Sequence, residues 1–257
     1  MVRNPADLAS VVAQAFHIAA SGRPGPVLID IPKDVGQEEF DYVPVEPGSV
    51  VPAGFASTPS PDPQSIEAAL DLIAEADRPL LYVGGGAIAA SAHDSIRLLA
   101  ERYQIPVTTT LMGKGAFDEN HALALGMLGM HGTAYANFAV TDCDLLIAVG
   151  ARFDDRVTGK LDTFAPRARV IHCEIDPAEI GKNRRPDVAV LGDVGASLSA
   201  MVDLSLRRSP EPRTANWLER IREWKHRYPL TTPPAEGEIY PPVSYTHLRA
   251  HETSFHR

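Results

Sequence analysis

The sequence predicts an α/β fold: a doubly wound, mostly parallel sheet with helices on both faces. Two observations carry that prediction. Short apolar runs at Leu80–Val83, Val107–Thr110, Leu145–Val149, Val170–Ile175 and Val188–Leu191 alternate with stretches of helical spacing, as βαβ units require. The runs also end in glycine, hydroxyl or carboxylate residues, namely Gly84, Thr110, Gly150, Glu174 and the pair Gly192-Asp193. Open α/β sheets present their ligand groups at the carboxyl ends of the strands.

The elements follow in order. Leu8, Val11, Val12, Ala15, Phe16, Ala19 and Ala20 fall on one face of a helix over residues 6–21, and Ser21-Gly22-Arg23-Pro24-Gly25-Pro26 breaks it. Val27 to Ile31 reads as a short buried strand stopped by Pro32. One helix and one strand cannot bury a core, so residues 1–35 are expected to be the C-terminal remnant of a preceding α/β domain. Residues 36–63, rich in Pro, Gly, Ser and acids, read as a linker. The regular domain spans 64–207. Ile66, Ala69, Leu70, Ile73 and Ala74 mark its first helix, Ile96 to Tyr103 another, Tyr135 to Val140 a third and residues 195–206 the last. Residues 208–242 read as a connector towards a further domain, with Trp217, Leu218, Ile221 and Trp224 on one helical face. Residues 243–257 have no apolar period. Their His247, His251 and His256 have ligand-like spacing, but no cysteine or carboxylate scaffold surrounds them, and the stretch reads as a non-native tail from adapter read-through.

Composition limits the function. The 257 residues carry a formal charge of -9, which argues against nucleic acid as a partner. Cys143 and Cys173 lie in or beside apolar runs and read as core residues of a reducing, cytoplasmic compartment. No apolar run reaches the roughly 18 residues of a membrane span, and the start does not have the form of a signal peptide.

Several constellations could carry chemistry. Val149-Gly150-Ala151-Arg152-Phe153-Asp154-Asp155-Arg156-Val157-Thr158-Gly159-Lys160 packs charge behind a buried strand. Taken alone it is either a solvated loop or one wall of a ligand site. Gly84-Gly85-Gly86 lies between a strand and a helix; it either cradles a phosphate or makes a tight turn. It is not the strict dinucleotide fingerprint. Thr110-Leu111-Met112-Gly113-Lys114-Gly115 follows the second run, and Leu128-Gly129-Met130-His131-Gly132-Thr133 precedes a helix. The glycines around Met130 and His131 suit a backbone that passes close to a flat group, although a lone histidine is more often structural. Glu174-Ile175-Asp176 and Gly192-Asp193-Val194 place acids where dinucleotide folds hold ribose hydroxyls. Together the strand ends favour an elongated nucleotide over a small ligand. There is no nucleophile elbow, Walker loop or zinc-protease motif. The residues form no catalytic dyad, so the chemistry would belong to a cofactor.

These motifs are joined by Ser21-Gly22-Arg23-Pro24-Gly25-Pro26-Val27-Leu28-Ile29-Asp30-Ile31-Pro32-Lys33-Asp34 and Glu179-Ile180-Gly181-Lys182-Asn183. With them the chain resembles the catalytic large subunits of acetolactate synthases, which are thiamine-diphosphate enzymes, from its start to about Tyr240. The resemblance implies a Rossmann-like middle domain that binds FAD. It implies that Arg23, Gly85, Thr110, Leu111, Leu128, Gly129, Met130, His131, Gly150, Ala151, Arg152, Phe153, Asp154, Glu174, Ile175, Asp193 and Val194 line the flavin nucleotide. Arg23, Arg152 and the glycine N–H groups would take the pyrophosphate, Glu174 and Asp193 the adenosine end, and Met130-His131-Gly132 the isoalloxazine ring. Lys33, Asp155 and Arg156 would border a substrate channel.

The activity so implied is the decarboxylation of one 2-keto acid and its condensation with another, in branched-chain amino acid biosynthesis. Thiamine diphosphate and Mg2+ would be held only by the full-length protein. The activating glutamate and the metal motif of the family are not in this sequence, so no catalytic residue and no metal ligand is assigned and the chain is expected to be inactive alone. A homodimer or higher oligomer, a regulatory small subunit, and a cytoplasmic or plastid location belong to the same implication. The alternatives are a glyoxylate carboligase or pyruvate oxidase type of thiamine-diphosphate enzyme and a non-catalytic nucleotide-binding module.

Overall fold

A computed structural model describes residues 1–46, 48–52, 60–209 and 211–230. Parts of the expected linker, the end of the expected connector and the histidine-bearing tail lie outside the described residues.

Six parallel strands form one sheet: β1 (Pro79–Val83), β2 (Val107–Thr109), β3 (Ala124–Met127), β4 (Leu145–Val149), β5 (Arg169–Glu174) and β6 (Val188–Leu191). Their spatial order is β3-β2-β1-β4-β5-β6, the order of a dinucleotide-binding sheet. The chain builds outward from β1 to one edge, then crosses back and builds from β4 to the other.

The apolar runs are continuous because the sheet is covered on both faces. Leu81, Val83, Leu145, Ile147, Val149 and Ile171 face one core cluster. There they meet α2 (Pro63–Glu75), α4 (His93–Tyr103) and α7 (Val194–Leu206). Leu80, Tyr82, Leu146, Ala148 and Val170 face the other, with α5 (Ala134–Asp142) and α8 (Ala215–Arg227). Burying one such leucine or isoleucine is worth roughly 1.5–3 kcal/mol. The helix starts are specified locally. Asp62 accepts from Gln64 N and Ser65 N ahead of Pro63, Thr133 accepts from Ala136 N, and Asp193 accepts from Ala196 N. Burial raises the Cys143 and Cys173 thiols to about 12, and both are free core cysteines as expected.

Three features differ from the sequence expectation. Strand β3 is additional; it is four residues long, carries Gly126 at φ +69° and pairs with β2 through a register shift. Its period is too short to separate it from the apolar residues around it. Second, Val27–Ile31 forms no strand. Its backbone is tied by Val2 N donating to Asp30 O, and Leu28 is 92% exposed. A β-like run becomes a strand only beside a partner edge, and no other strand lies along it among the described residues. Third, α8, in the stretch read as a connector, packs on the sheet, with Trp217 and Ile221 inside the second core cluster beyond the 64–207 bounds expected for the domain. The remaining helices are α1 (Leu8–Ala20), where Phe16 is exposed, and the short α3 (Gly85–Ala89) and α6 (Asp155–Thr158).

Candidate functional site

The strand order reverses between β1 and β4, and the loops that leave their carboxyl ends meet there. Gly84 N donates to Val149 O and Gly86 N to Gly150 O. The backbones cross so closely that a Cβ on Gly84 would lie 2.3 Å from Gly150 O, and one on Gly86 2.7 Å from Gly150 Cα. Gly84 and Gly86 are therefore required by this close approach of backbones and not by a positive-φ turn, since Gly84 has φ -108° and Gly86 is not among the positive-φ glycines. Gly85 opens α3 beside Met112.

From this point the predicted residues spread along the sheet edge in strand order. After β2, Thr110 caps a 3-10 turn by accepting from Gly113 N, and Leu111 and Met112 stand exposed, Met112 at 75%. Beyond β3, Gly129 has φ +88° and its peptide is held on both sides by Asn137: Gly129 N donates to Oδ1 at 2.9 Å and Nδ2 donates to Gly129 O at 3.0 Å. This presents Met130, 76% exposed, and an exposed His131, while Leu128 turns into the core.

After β4, Gly150 has φ +55° and Ala151 is buried. The exposed Arg152 pairs with Asp154 at 2.8 Å. Phe153 also has positive φ, +54°, costing about 1 kcal/mol or more for a non-glycine residue. That turn drives its ring into the core, 1% exposed, against Tyr82, Phe164 and His172. Its side chain is thus an anchor, and the residue as a whole is buried. Asp154 caps α6 by accepting from Arg156 N, and that bond, with the charge of Arg152, holds its carboxyl below the usual range. Asp155 and Arg156 are exposed on the first turn of α6. Lys33 is also exposed, and no hydrogen bond or ion pair joins it to them among the described residues.

On the other wing, Glu174 ends β5. Its Oε1 accepts from Ile175 N and Asp176 N, and burial nevertheless raises its carboxyl above the ordinary value. Asp193 caps α7, and Val194 is buried. Arg23 comes to this wing, reaching Asp176 and Glu179 at 3.1 Å each. Glu179 also pairs with Lys182 at 3.0 Å. Burial pushes the Glu179 carboxyl up, but the bonds from Lys182 and Arg23 outweigh it and the net direction is down. A carboxyl lowered by folding stabilises above its unfolded value and loses that contribution as pH falls through the folded one. Arg23→Gln is expected to lower the unfolding temperature slightly at pH 7 and to lose the effect at an acid pH well below the ordinary carboxylate range. An equal deficit at both pH values in thermal melts would contradict this account.

The arrangement suits an elongated anionic ligand laid across the sheet. Six strands at about 4.8 Å spacing span roughly 24 Å. Exposed methionine and leucine side chains occupy the β2–β3 wing, a guanidinium and loop N–H groups the crossing, and carboxylates the β5–β6 wing. His172, Asn137 and Asn183 also shape these loops and are not among the residues predicted from sequence. A histidine inside the apolar run Val170–Cys173 was the available signal for the first. No group of three or more His, Cys, Asp or Glu residues suited to a metal occurs among the described residues.

Residues 66–201 match the family model for the central domain of thiamine pyrophosphate enzymes. The chain belongs to the thiamine pyrophosphate enzymes. Among curated relatives of this thiamine pyrophosphate enzyme chain, an "Acetolactate synthase large subunit" of Parasynechococcus marenigrum (strain WH8102) is 79% identical over 241 residues, covering 94% of this chain and 39% of the relative. An "Acetolactate synthase" of Arthrospira platensis is 57% identical over 250 residues, 94% of this chain and 42% of the relative. The large subunit of Corynebacterium glutamicum is 46% identical over 243 residues, 94% and 38% respectively. The chain thus spans about two fifths of the length of these relatives. The resemblance seen in its motifs holds across nearly all of it.

Proposed function

We propose that this chain supplies the FAD-binding middle domain of an acetolactate synthase large subunit. The observation that carries the reading is the order of chemistry along the sheet edge: apolar side chains, then cation and N–H groups, then carboxylates. On this reading Leu111, Met112 and Met130 bound the flavin ring, Arg152 and the Gly150–Asp154 backbone hold the pyrophosphate, and Glu174 and Asp193 accept from ribose or adenine. FAD would supply a structural bridge, since the net condensation is not a redox reaction. Asp155 and Arg156, exposed one turn from Arg152, would border the route of the 2-keto acids, with Arg156 suited to a carboxylate.

The whole protein would be a transferase acting on pyruvate and a second 2-keto acid, with thiamine diphosphate and Mg2+ held outside this chain. It would form a homodimer or larger oligomer with a regulatory small subunit, in the cytoplasm or a plastid. No described helix is long and apolar enough to cross a membrane.

Quenching of flavin fluorescence tests the reading. The chain is expected to bind FAD, and Arg152→Ala to weaken it by about tenfold or more, the loss of one charge-assisted contact. Absence of FAD binding by the parent chain would overturn the cofactor assignment. The same sample, given pyruvate, thiamine diphosphate and Mg2+, is expected to form no acetolactate.

A further inference from the structure

We infer that His172 and Asn183 are positioning residues that set the Ala151–Asp154 loop in its ligand-receiving shape. His172 is fully buried on β5, and its Nε2 lies 2.9 Å from Ala151 O. Asn183, 30 residues from the loop in sequence, donates from Nδ2 to Phe153 O at 3.0 Å and to Arg152 O at 3.4 Å. Three consecutive carbonyls are thus held by two side chains from outside the loop. A carbonyl can only accept, so Nε2 carries the proton and His172 is the neutral Nε2–H tautomer. Burial, which lowers its pKa, keeps it there. Its Nδ1 has no partner, so a second proton would be a buried donor with nothing to bind.

The consequence follows from the planar trans peptide, in which N–H and C=O point in opposite directions. No peptide bond in the described chain is cis. Turning Ala151 O towards His172 directs Arg152 N–H to the other side. Turning Phe153 O towards Asn183 does the same for Asp154 N–H. Neither N–H has an acceptor among the described residues. Phe153, packed edge-on against His172 at 5.1 Å, pins the positive-φ turn between them. The clamp therefore leaves two loop N–H groups turned away from His172 and Asn183 and without an acceptor, on the loop that also carries the Arg152 guanidinium paired with Asp154, before any anion arrives. Pre-set donors bind more tightly than ones that must be ordered on binding.

The inference rests on the FAD reading for its ligand but not for its loop geometry, and two measurements on this chain separate them. The first is FAD affinity by flavin fluorescence. The second is the rate of trypsin cleavage after Arg152 in the ligand-free chain. His172→Phe fills the core without a donor, and Asn183→Asp replaces the donating amide with a carboxylate at an exposed position that leaves the core untouched. Both are expected to raise the Kd for FAD at least tenfold and to speed cleavage after Arg152 severalfold, with little change in Asn183→Asp unfolding temperature. His172→Gln, whose amide can place an N–H near Nε2, is expected to restore both readouts to within a few fold of the parent. Unchanged cleavage and unchanged FAD affinity in folded Asn183→Asp would overturn the clamp. Faster cleavage in a chain that never binds FAD would uphold the clamp and remove its assigned ligand.

Discussion

Replacing Trp217 with alanine is expected to cost about 3–5 kcal/mol, the range for emptying a large aromatic site. Trp217 is 2% exposed, and its Nε1–H donates to Pro79 O at 3.0 Å. Its ring meets Trp224 edge-on at 5.7 Å and belongs to the same core cluster as Leu80 and Leu146. The substitution removes both the packing and the partner of a carbonyl at the start of β1. A domain of this size is stable by roughly 5–15 kcal/mol, so the unfolding temperature should fall by on the order of 10 °C. Circular dichroism melts measure it. A fall under about 2 °C would mean that α8 is not part of the cooperative unit.

Gly150→Ala carries the second large effect. A Cβ at Gly150 would lie 2.6 Å from Gly86 Cα and 2.7 Å from Ala87 N, and its φ is +55°. Backbone cannot retreat as a side-chain tip can. The overpacking should cost about 3 kcal/mol, with roughly 1–2 kcal/mol more for the left-handed conformation. Because the displaced segments are the two loops of the crossing, FAD affinity should fall together with stability. Gly25→Ala is the control: nothing lies within 4 Å of its Cβ position, and it should melt like the parent. A Gly150→Ala variant with the parent melting temperature would show that the loops can separate without cost.

Much of the fold was legible in the sequence because the central strands are buried on both faces. Leu80–Val83 and Leu145–Val149 have no polar alternative, and their runs mark strands unambiguously. The margins were less legible. Ala124–Met127 is too short and too close to Gly126 to declare a period, and it becomes a strand by pairing with β2. Val27–Ile31 has strand composition yet finds no edge to join. The same division applies to the candidate site. The charge run after Val149 marked a loop of interest, but its residues separate by direction: Arg152 outward, Phe153 inward, Asp154 onto the turn that follows. Arg23, expected at the pyrophosphate, is paired with Asp176 and Glu179 after β5, a contact across more than 150 residues that no local pattern shows.

Alternation of apolar runs and helical spacing was sufficient for the fold class, because burial and period are local properties of the chain. The motif residues were sufficient for the family, because they are a matter of residue identity and order. Which strand lies beside which is a long-range property, and it came only with the three-dimensional arrangement. The order β3-β2-β1-β4-β5-β6 turns scattered strand ends into a graded edge. The glycine crossing at Gly84, Gly86 and Gly150, the inward Phe153 and the hold of His172 and Asn183 on three carbonyls arise from backbone direction and close approach between distant segments. Those forces act across space, and no local pattern of residues encodes them.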